Sequence, residues 1–304
     1  MAFEHPGHPT LVIEDAKAEL ETTARHVYLA NMFTSEEIGR LSALGLYQCT
    51  SLLAEVEHPT VALFEMDLDP SIPSFETILP DGLVIGKCAE AYMKHYLVTH
   101  PDFDLIADNV QVIVEGGTLG EFDFFYRDLK RQKTVHLEMA CKWYLLDPDA
   151  QQGEEWTGPN RRDYLAHKVK KLYDQQFALL HDPRALPLLK AIEIDPGTTE
   201  QQLALPGFAF IPSSYEGSDP SIRPSAIIGT WCRIEEFLAR KDEGKRHYLC
   251  ERKEWLIDPM YNRTWHARSS IDGELTNQLQ QKYSPMVWTL HPDGSVERTF
   301  IVWW

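Results

Sequence analysis

The chain has 304 residues, of which 43% are hydrophobic and 25% charged, and its formal net charge at pH 7 is -17. This length can bury a large core as one big domain or two modest ones, and the composition is that of a globular protein rather than a disordered one. The acidic excess argues against indiscriminate adhesion to nucleic acid, because the far field repels a polyanion. A locally basic groove stays compatible with it.

Signals for membranes, secretion and structural metals are missing from the sequence. No apolar stretch approaches the ~20 residues that span a bilayer, and the start MAFEHPGHPTLVIED lacks the cationic and apolar regions of a signal peptide. We therefore expect a cytoplasmic protein without membrane partners. The five cysteines are scattered and form no C-x-x-C pair, so neither a zinc site nor a disulfide framework is predicted.

The predicted organisation has three parts. Residues 1–75 are predicted to form an N-terminal helical cap with helices over 13–29 and 35–46. Prolines at 70, 73 and 80 then mark a boundary. Residues 76–215 are predicted to form an α/β core, and residues 216–304 a β-rich region packed on that core.

The core begins with a predicted helix and a hairpin. Apolar residues from 85 to 97 recur at helical period, and Glu90 lies at the edge of that stripe, either as an ordinary boundary residue or as a functional acid. A β-branched run over 109–115, a glycine-rich turn and a returning run over 121–127 predict two strands. Asp123 stands between two phenylalanines and should point to the opposite face from them.

The segment 134–146 alternates strictly between two sets of side chains. Period two favours a strand that carries His136, Glu138, Ala140 and Lys142 on one face. A helix is the alternative, because the segment is rich in helix formers and Glu138 and Lys142 form an i,i+4 pair.

A long basic helix is predicted next, with Asn160 as its N-cap and Asp163 in the capping-box position. Its basic residues either form a solvated face or contact phosphates. They are Arg161, Arg162, His167, Lys168, Lys170 and Lys171. A strand over 206–212, a helix over 231–240, a strand over 246–256 and a helix over 278–283 should follow. The chain should then end in a hairpin of 286–290 and 296–304.

Two isolated acids in apolar runs, Asp123 and Glu138, are the strongest chemical signal. Carboxylates are costly to bury unless a cation compensates them. A divalent metal is one such compensator, and an ion pair is the other.

Four motifs in this order resemble the PD-(D/E)XK nuclease superfamily, and more closely a bacterial family of domains of unknown function within it. They are GKCAE (86–90), GEFDF (120–124), HLEMACKWYL (136–145) and GPNRRD (158–163). The likeness covers about residues 83–212, with a fainter echo in EWLIDP (254–259). It implies a restriction-endonuclease-like core, with a mixed central sheet flanked by helices in the order α-β-β-β-α-β.

The resemblance also implies metal-dependent hydrolysis of phosphodiester bonds in nucleic acid. Asp123, Glu138 and Glu90 would bind Mg²⁺ or Mn²⁺, which prefer carboxylate oxygens, and Lys142 would act with Asp123 and Glu138 in catalysis. The substrate-binding residues would be Arg161, Arg162 and Lys168 on the basic helix, together with His136. For His136, an accessory metal ligand or a polar residue hydrogen-bonded to its neighbour are alternatives.

One departure from the superfamily pattern affects catalysis. The superfamily pattern has a lysine two residues after the glutamate, but here that position holds Ala140. The nearest lysine, Lys142, comes four residues after Glu138. Either the Lys142 side chain reaches back, or a bulge shortens the gap, or the site is degenerate. In the last case the protein is a non-catalytic binding or scaffold module. A metal-free glycoside hydrolase with paired carboxylates is a weaker alternative.

Overall fold

A computed structural model describes residues 33–217 and 219–304, so the helix predicted over 13–29 lies outside the described residues. In chain order the elements are α1 (Ser35–Tyr47), β1 (Val61–Leu63), α2 (Ile85–Thr99), β2 (Phe103–Val114), β3 (Gly117–Asp128), β4 (Lys133–Met139), β5 (Lys142–Leu146), β6 (Trp156–Thr157), α3 (Leu165–Lys171) continued by π-helical turns (Leu172–Phe177), α4 (Leu186–Ala191), β7 (Glu200–Ala204), β8 (Gly207–Pro212), β9 (Ile227–Arg233), α5 (Ile234–Ala239), β10 (Arg246–Cys250), α6 (Asp272–Gln280), β11 (Met286–Leu290) and β12 (Val296–Val302). No helix within the described ranges has the length and hydropathy needed to cross a bilayer.

The strands form two mixed sheets flanked by helices, which confirms the predicted α/β class. One sheet has the order β1-β7-β4-β3-β2, and the other has the order β10-β11-β12-β9-β8-β5-β6. In the first sheet β7 runs parallel to β1 and β4, whereas β2, β3 and β4 are antiparallel neighbours. In the second, β8 runs parallel to both β5 and β9.

The β2–β3 hairpin is longer than predicted and turns tightly. Val114 pairs with Gly117, which leaves Glu115 and Gly116 as the turn. Gly116 has φ +102° and Gly117 has φ +138°, backbone angles that residues with a Cβ rarely adopt. The glycines therefore allow the reversal that sends β3 back towards β4.

The segment 134–146 is extended, as predicted, but it is not one continuous strand. It breaks at Ala140 and Cys141, so that β4 belongs to the five-stranded sheet and β5 to the seven-stranded sheet. The neighbouring segment breaks at Leu205 and Pro206, between β7 and β8. We call these four residues the seam. Pro206 has no N–H to donate to a ladder, which gives a physical reason for the interruption.

Main-chain hydrogen bonds continue across the seam. The amide of Ala140 donates to the carbonyl of Ala204 (2.9 Å), and that of Lys142 donates to the carbonyl of Pro206 (3.2 Å). Met139 pairs with Ala204 on one side and Lys142 with Gly207 on the other, so both chains advance by three residues. The two sheets therefore meet in register. Lys142 consequently lies in a different sheet from Glu138, which corrects the prediction of a single shared face.

One apolar cluster extends beneath both sheets. It contains Tyr92 of α2, Phe124 of β3 and Leu145 of β5, together with Trp288 and Phe300 of β11 and β12. Strand β1, from the predicted cap, pairs with β7, and β9 to β12 extend the sheet that holds β5 and β8. The domain boundaries at 75 and 215 stay predictions.

Local predictions differ in outcome. The helix at 35–46 and the terminal hairpin are confirmed as α1 and as β11–β12. The basic helix begins at Leu165 rather than after Asn160, whose Oδ1 accepts from the amide of Ser284 instead (2.8 Å). Residues 231–233 lie in β9 rather than in a helix. The strand predicted over 246–256 ends at Cys250, and the last helix lies at 272–280 instead of 278–283.

We expect Gly207→Ala to destabilise the fold by about 3 kcal/mol, because an added Cβ overpacks the seam. That Cβ would lie 2.1 Å from the carbonyl oxygen of Lys142 and 2.8 Å from Cδ1 of Leu52. Urea denaturation measures the change. The control is Gly273→Ala in α6, where no atom lies within 4 Å and alanine should be neutral or stabilising. Equal stability of the two variants would contradict the close packing at the seam.

Candidate functional site

Strands β3 and β4 bring Asp123 and Glu138 together. The pairing runs from Asp128–Lys133 to Phe124–Leu137, so Asp123 and Glu138 occupy the next opposed position. There the amide of Asp123 donates to Oε1 of Glu138 (3.4 Å), and the amide of Met139 donates to Oδ2 of Asp123 (2.9 Å). Each carboxylate thus contacts the main chain of the opposite strand. The two acids predicted to share a metal are neighbours.

Buried polar side chains hold the Glu138 carboxylate, which is itself completely buried. His136 Nε2 lies 2.8 Å from Oε1, and Gln176 Nε2 donates to Oε2 (2.7 Å). Behind His136, the Gln201 amide nitrogen donates to the carbonyl of Phe177 (2.8 Å) and lies 3.4 Å from His136 Nδ1. Because that nitrogen is a donor, the network assigns an acceptor role to Nδ1 and a hydrogen to Nε2. His136 is therefore hydrogen-bonded to its neighbour, one of the three alternatives for this residue.

The acid pair is short of positive charge. Burial, and then the negative charge of Glu138, raise the pKa of Asp123 to about 8, and the hydrogen bond from the Met139 amide opposes the rise only in part. The charge of Glu90 adds to the repulsion. Two carboxylates held next to each other, one completely buried and one half-buried, favour taking up either a proton or a cation.

Glu90 lies on α2 and is salt-bridged to Lys87, whose Nζ is 2.5 Å from Oε2. Lys87 also approaches Glu121 of β3 (3.6 Å). Glu90 nevertheless lines a cavity of about 470 Å³ that reaches Met139 and the seam. Neither Asp123 nor Glu138 is among the residues that line this cavity, which adjoins them at Met139. Both predicted roles of Glu90 therefore stay open.

This cavity, which we call the basic cavity, gathers cations from three parts of the chain. Lys142 comes from β5, Lys168 from α3, and Arg252 from the turn that follows β10, while Arg162 precedes α3. The concentration of positive charge is notable in a chain with a net charge of -17. These four residues form a locally basic region, which the net negative charge of the chain does not exclude.

The two lysines in the cavity differ in their partners. Lys142 Nζ lies 2.5 Å from Asp163 Oδ2, which also accepts from the Tyr144 hydroxyl (3.3 Å). Lys168 makes no side-chain hydrogen bond or ion pair with any described residue. Burial, and then the charge of Lys142, lower its pKa, whereas the charge of Asp123 acts in the opposite direction. Of the two lysines, Lys168 is therefore the one whose charge is not paired with a carboxylate of a described residue.

Arg161 binds within the protein rather than facing the cavity. Its guanidinium stacks 3.9 Å from the ring centroid of Trp304 and forms an ion pair with Asp147. The indole of Trp304 donates in turn to the carbonyl of Pro159 (3.1 Å). These contacts fasten the C-terminus to the loop before α3. Arg162, one residue later, lines the cavity and is exposed.

Different metal ions need different numbers and types of protein ligands, so the residues present suit some ions better than others. Within the described ranges, no three His, Cys, Asp or Glu side chains are arranged to hold a metal. A structural zinc site takes four nitrogen or sulfur ligands. Mg²⁺ and Mn²⁺ need only one or two carboxylates plus waters. Asp123 and Glu138 fit that smaller requirement.

Five residues of the site escaped the sequence analysis. Two bind the acid network from elsewhere in the chain, and three line the basic cavity. They are Gln176, Gln201, Trp143, Arg252 and Trp255. Trp143 and Trp255 lie within the motifs HLEMACKWYL and EWLIDP, but nothing in those motifs indicated a role for them in binding. Gln176, Gln201 and Arg252 gave no signal, because only tertiary packing brings them to the site.

We expect the stability of the metal-free protein to fall as pH rises from 3.8 towards about 8, the interval between the usual and the raised pKa of Asp123. In that interval the folded protein holds a proton that the unfolded chain has released. Asp123→Asn should remove the part of this slope that is due to Asp123 and leave the part due to Glu254, whose burial raises its pKa to about 7. The variant should be more stable than the wild type near pH 8 by an amount on the order of 3 kcal/mol. Urea denaturation in EDTA tests this, with Asp104→Asn, an exposed acid on β2, as the control. A wild-type slope in the Asp123 variant would contradict the account.

Comparison with known proteins gives one match. No curated protein and no solved structure matches the sequence. A family model described as domain of unknown function DUF1853 matches residues 25–302. The match confirms the predicted membership of a family of domains of unknown function, while the wider PD-(D/E)XK relationship stays a prediction. Since the match spans most of the chain, this protein belongs to the DUF1853 family.

Proposed function

We propose that this protein is a metal-dependent phosphodiesterase that hydrolyses nucleic acid, with Mg²⁺ or Mn²⁺ held by Asp123 and Glu138. The observation that carries the proposal is the opposed position of these two acids, each in contact with the main chain of the other's strand. A divalent cation would neutralise the repulsion between them and make their burial favourable.

The donors around Glu138 support a ligand role. Oε1 accepts from His136 and from the Asp123 amide, whereas Oε2 accepts only from Gln176 and keeps a lone pair for a cation. Together these contacts fix the direction of the group. Metal-binding carboxylates are commonly oriented by such outer contacts. These contacts leave the Glu138 carboxylate little freedom to move, which supports a defined position for the proposed metal.

The residues around the acids have separate proposed roles. When bound, the divalent ion lowers the pKa of a water molecule and withdraws charge from the phosphate. Lys168 neutralises negative charge that grows on the phosphate, because it faces the cavity without a carboxylate partner. Lys142 assists from the other wall, and Glu90 steadies the ligands from α2. Arg162 and Arg252 hold flanking phosphates, which fixes register but not sequence preference.

The arrangement of elements agrees with the proposed core. Helix α2, strands β2, β3 and β4, helix α3 and strand β7 follow one another as α-β-β-β-α-β, interrupted by β5, β6 and α4. We propose that the five-stranded sheet with α2 and α3 is the restriction-endonuclease-like core. The seven-stranded sheet would then be an addition that supplies one wall of the substrate site.

Orphan donors in the cavity suit an oxygen-rich ligand. The indole nitrogens of Trp143 and Trp255 are buried and find no hydrogen-bond partner among the described residues. Both residues line the basic cavity, and their rings lie 5.5 Å apart. Phosphate or base oxygens would give such donors partners.

A non-catalytic binding module is the second candidate, and the salt bridge of Lys142 to Asp163 favours it. In that case nucleic acid would bind in the basic cavity without being cleaved. Measurements of metal binding and of nucleic-acid hydrolysis distinguish the phosphodiesterase from the binding module, since only the phosphodiesterase cleaves nucleic acid.

We expect calorimetric titration to detect Mn²⁺ binding by the wild type and a loss of at least about tenfold in affinity in Asp123→Asn and Glu138→Gln, because each removes a charged ligand. Hydrolysis of mixed single- and double-stranded nucleic acids should fall by about 10³-fold or more in both variants. Glu115→Gln at the exposed hairpin turn is the control and should behave as wild type. Metal binding without hydrolysis supports the binding module, and equal hydrolysis by all four proteins would point to a contaminant.

We expect Lys168→Met to lower kcat/KM by about 10²-fold, and Lys142→Met to lower it less. The reason is that the charge of Lys142 is already balanced by Asp163, whereas that of Lys168 faces the acid pair. Steady-state hydrolysis at saturating Mg²⁺ compares them, with Lys170→Met on the exposed side of α3 as the control. A larger loss in the Lys142 variant would reverse this assignment.

A further inference from the structure

A second cavity, of about 190 Å³, shares no lining residue with the basic cavity. We call it the Arg298 pocket. Its polar lining residues, together with one aromatic ring, are Gln48, Thr50, Phe208, Ser225, Asp258 and Arg298. Gln48 and Ser225 are exposed, so the pocket opens to solvent on their side.

Arg298 has an unusual position for a charged residue. It lies on β12 directly opposite Trp288 of β11, which is completely buried. Two residues further along the same face is Phe300, also completely buried. The Arg298 side chain is only 18% exposed. A guanidinium therefore stands on a sheet face that is otherwise part of the apolar core.

The guanidinium has almost no compensation from the protein. Its Nε is buried without a hydrogen-bond partner, and none of its N–H groups donates to a described residue. The closest carboxylate oxygen, Oδ2 of Asp258, is 4.0 Å away, and the other oxygen of Asp258 accepts from the amide of Met260 (2.9 Å). The ring of Phe208 lies 5.9 Å from the guanidinium.

The neighbouring thiols do not supply the missing charge. Burial raises the pKa of Cys49 and Cys250 well above the usual value, so both are neutral beside Arg298. Burying an arginine without hydrogen bonds is costly, and its five N–H donors are too many for one distant carboxylate. The open side of the pocket is where a partner for these donors has room.

The remaining lining is suited to an oxyanion. The hydroxyls of Thr50 and Ser225 lie 3.1 Å apart at the pocket wall, and Gln48 lines the same pocket. The planar fork of arginine matches two phosphate oxygens at once. Asp258 can accept the hydrogen of a protonated phosphate oxygen, which accommodates an acid in the wall of an anion site.

We propose that the Arg298 pocket binds a phosphate group, gripped by the Arg298 guanidinium with Gln48, Thr50 and Ser225 as further donors. The site is separate from the proposed metal centre and does not depend on it. Its ligand is either free inorganic phosphate or the terminal phosphate of a larger molecule.

Thermal unfolding in EDTA tests the pocket, with inorganic phosphate as the probe and sodium chloride keeping the ionic strength constant. Phosphate should raise the midpoint of the wild type in a saturable manner, because a ligand that binds only the folded state stabilises it. Arg298→Met should lose this rise. Arg246→Met, an exposed arginine on β10, should retain it.

The stability of the variants separates binding from a structural role. Without phosphate, Arg298→Met should be at least as stable as the wild type, since it removes a buried and uncompensated charge. Arg298→Lys should fold normally and bind phosphate about tenfold more weakly, because the fork is lost. A marked loss of stability in Arg298→Met, unchanged phosphate affinity in Arg298→Lys, or no rise in the wild type would each overturn the proposal.

The source of the phosphate is distinguished by a further comparison. Fluorescence anisotropy in EDTA would compare one oligonucleotide with and without a 5′-phosphate. Tighter binding of the phosphorylated form that disappears in Arg298→Met identifies nucleic-acid ends as the ligand. Equal binding of both forms, together with an Arg298-dependent response to inorganic phosphate, identifies the free anion.

Discussion

The structure around β3 and β4 depends on one electrostatic constraint, two opposed carboxylates of which Glu138 is completely buried and Asp123 half-buried. At Asp123 and Glu138 the hydrogen bonds between the two strands run from a main-chain amide of one strand to the carboxylate of the other. Such a pair is unfavourable when both groups are charged and no cation is present. The raised pKa of Asp123 is the direct consequence. The orienting contacts of His136 and Gln176, and the proposed need for a divalent ion, follow from the same constraint.

The break in the strands at the seam determines which basic side chains lie close to Asp123 and Glu138. Because the paired chains break together, β4 ends beside the acid pair while β5 enters the second sheet. The basic cavity forms at this junction, and cations from β5, α3 and the segment after β10 line it. A protein with a large negative net charge thereby gathers four basic side chains around this cavity, next to the acids Glu90 and Asp163. Close packing at Gly207 maintains the alignment of the two sheets.

The sequence predicted local features well where a single period or turn dominated. The stripe of α2, the hairpin of β2 and β3, and the extended form of 134–146 follow from alternation and glycine positions. It did not predict the break at Ala140, since the alternation continues through it and the cause lies in the distant Pro206. Asn160 resembles an N-cap, but its side-chain Oδ1 accepts from the main-chain amide of Ser284, which comes close only on folding.

The same limit applies to the site. Asp123 and Glu138 were recognisable because acids are rare in apolar strands, whereas Gln176 and Gln201 contribute through contacts over long sequence distances. Arg298 was not noticed because one arginine in a terminal hairpin is ordinary until its burial is known. Charge on the surface is readable from sequence, but charge in the interior depends on packing.

The proposed metal site is best tested by a crystal structure obtained with Mn²⁺, in which anomalous scattering locates the metal. We expect a strong peak about 2.1 Å from one oxygen of Asp123 and one of Glu138. A map without this peak, from crystals soaked in saturating Mn²⁺, would contradict the proposed site. So would a map in which the metal is bound elsewhere and the two carboxylates are unchanged.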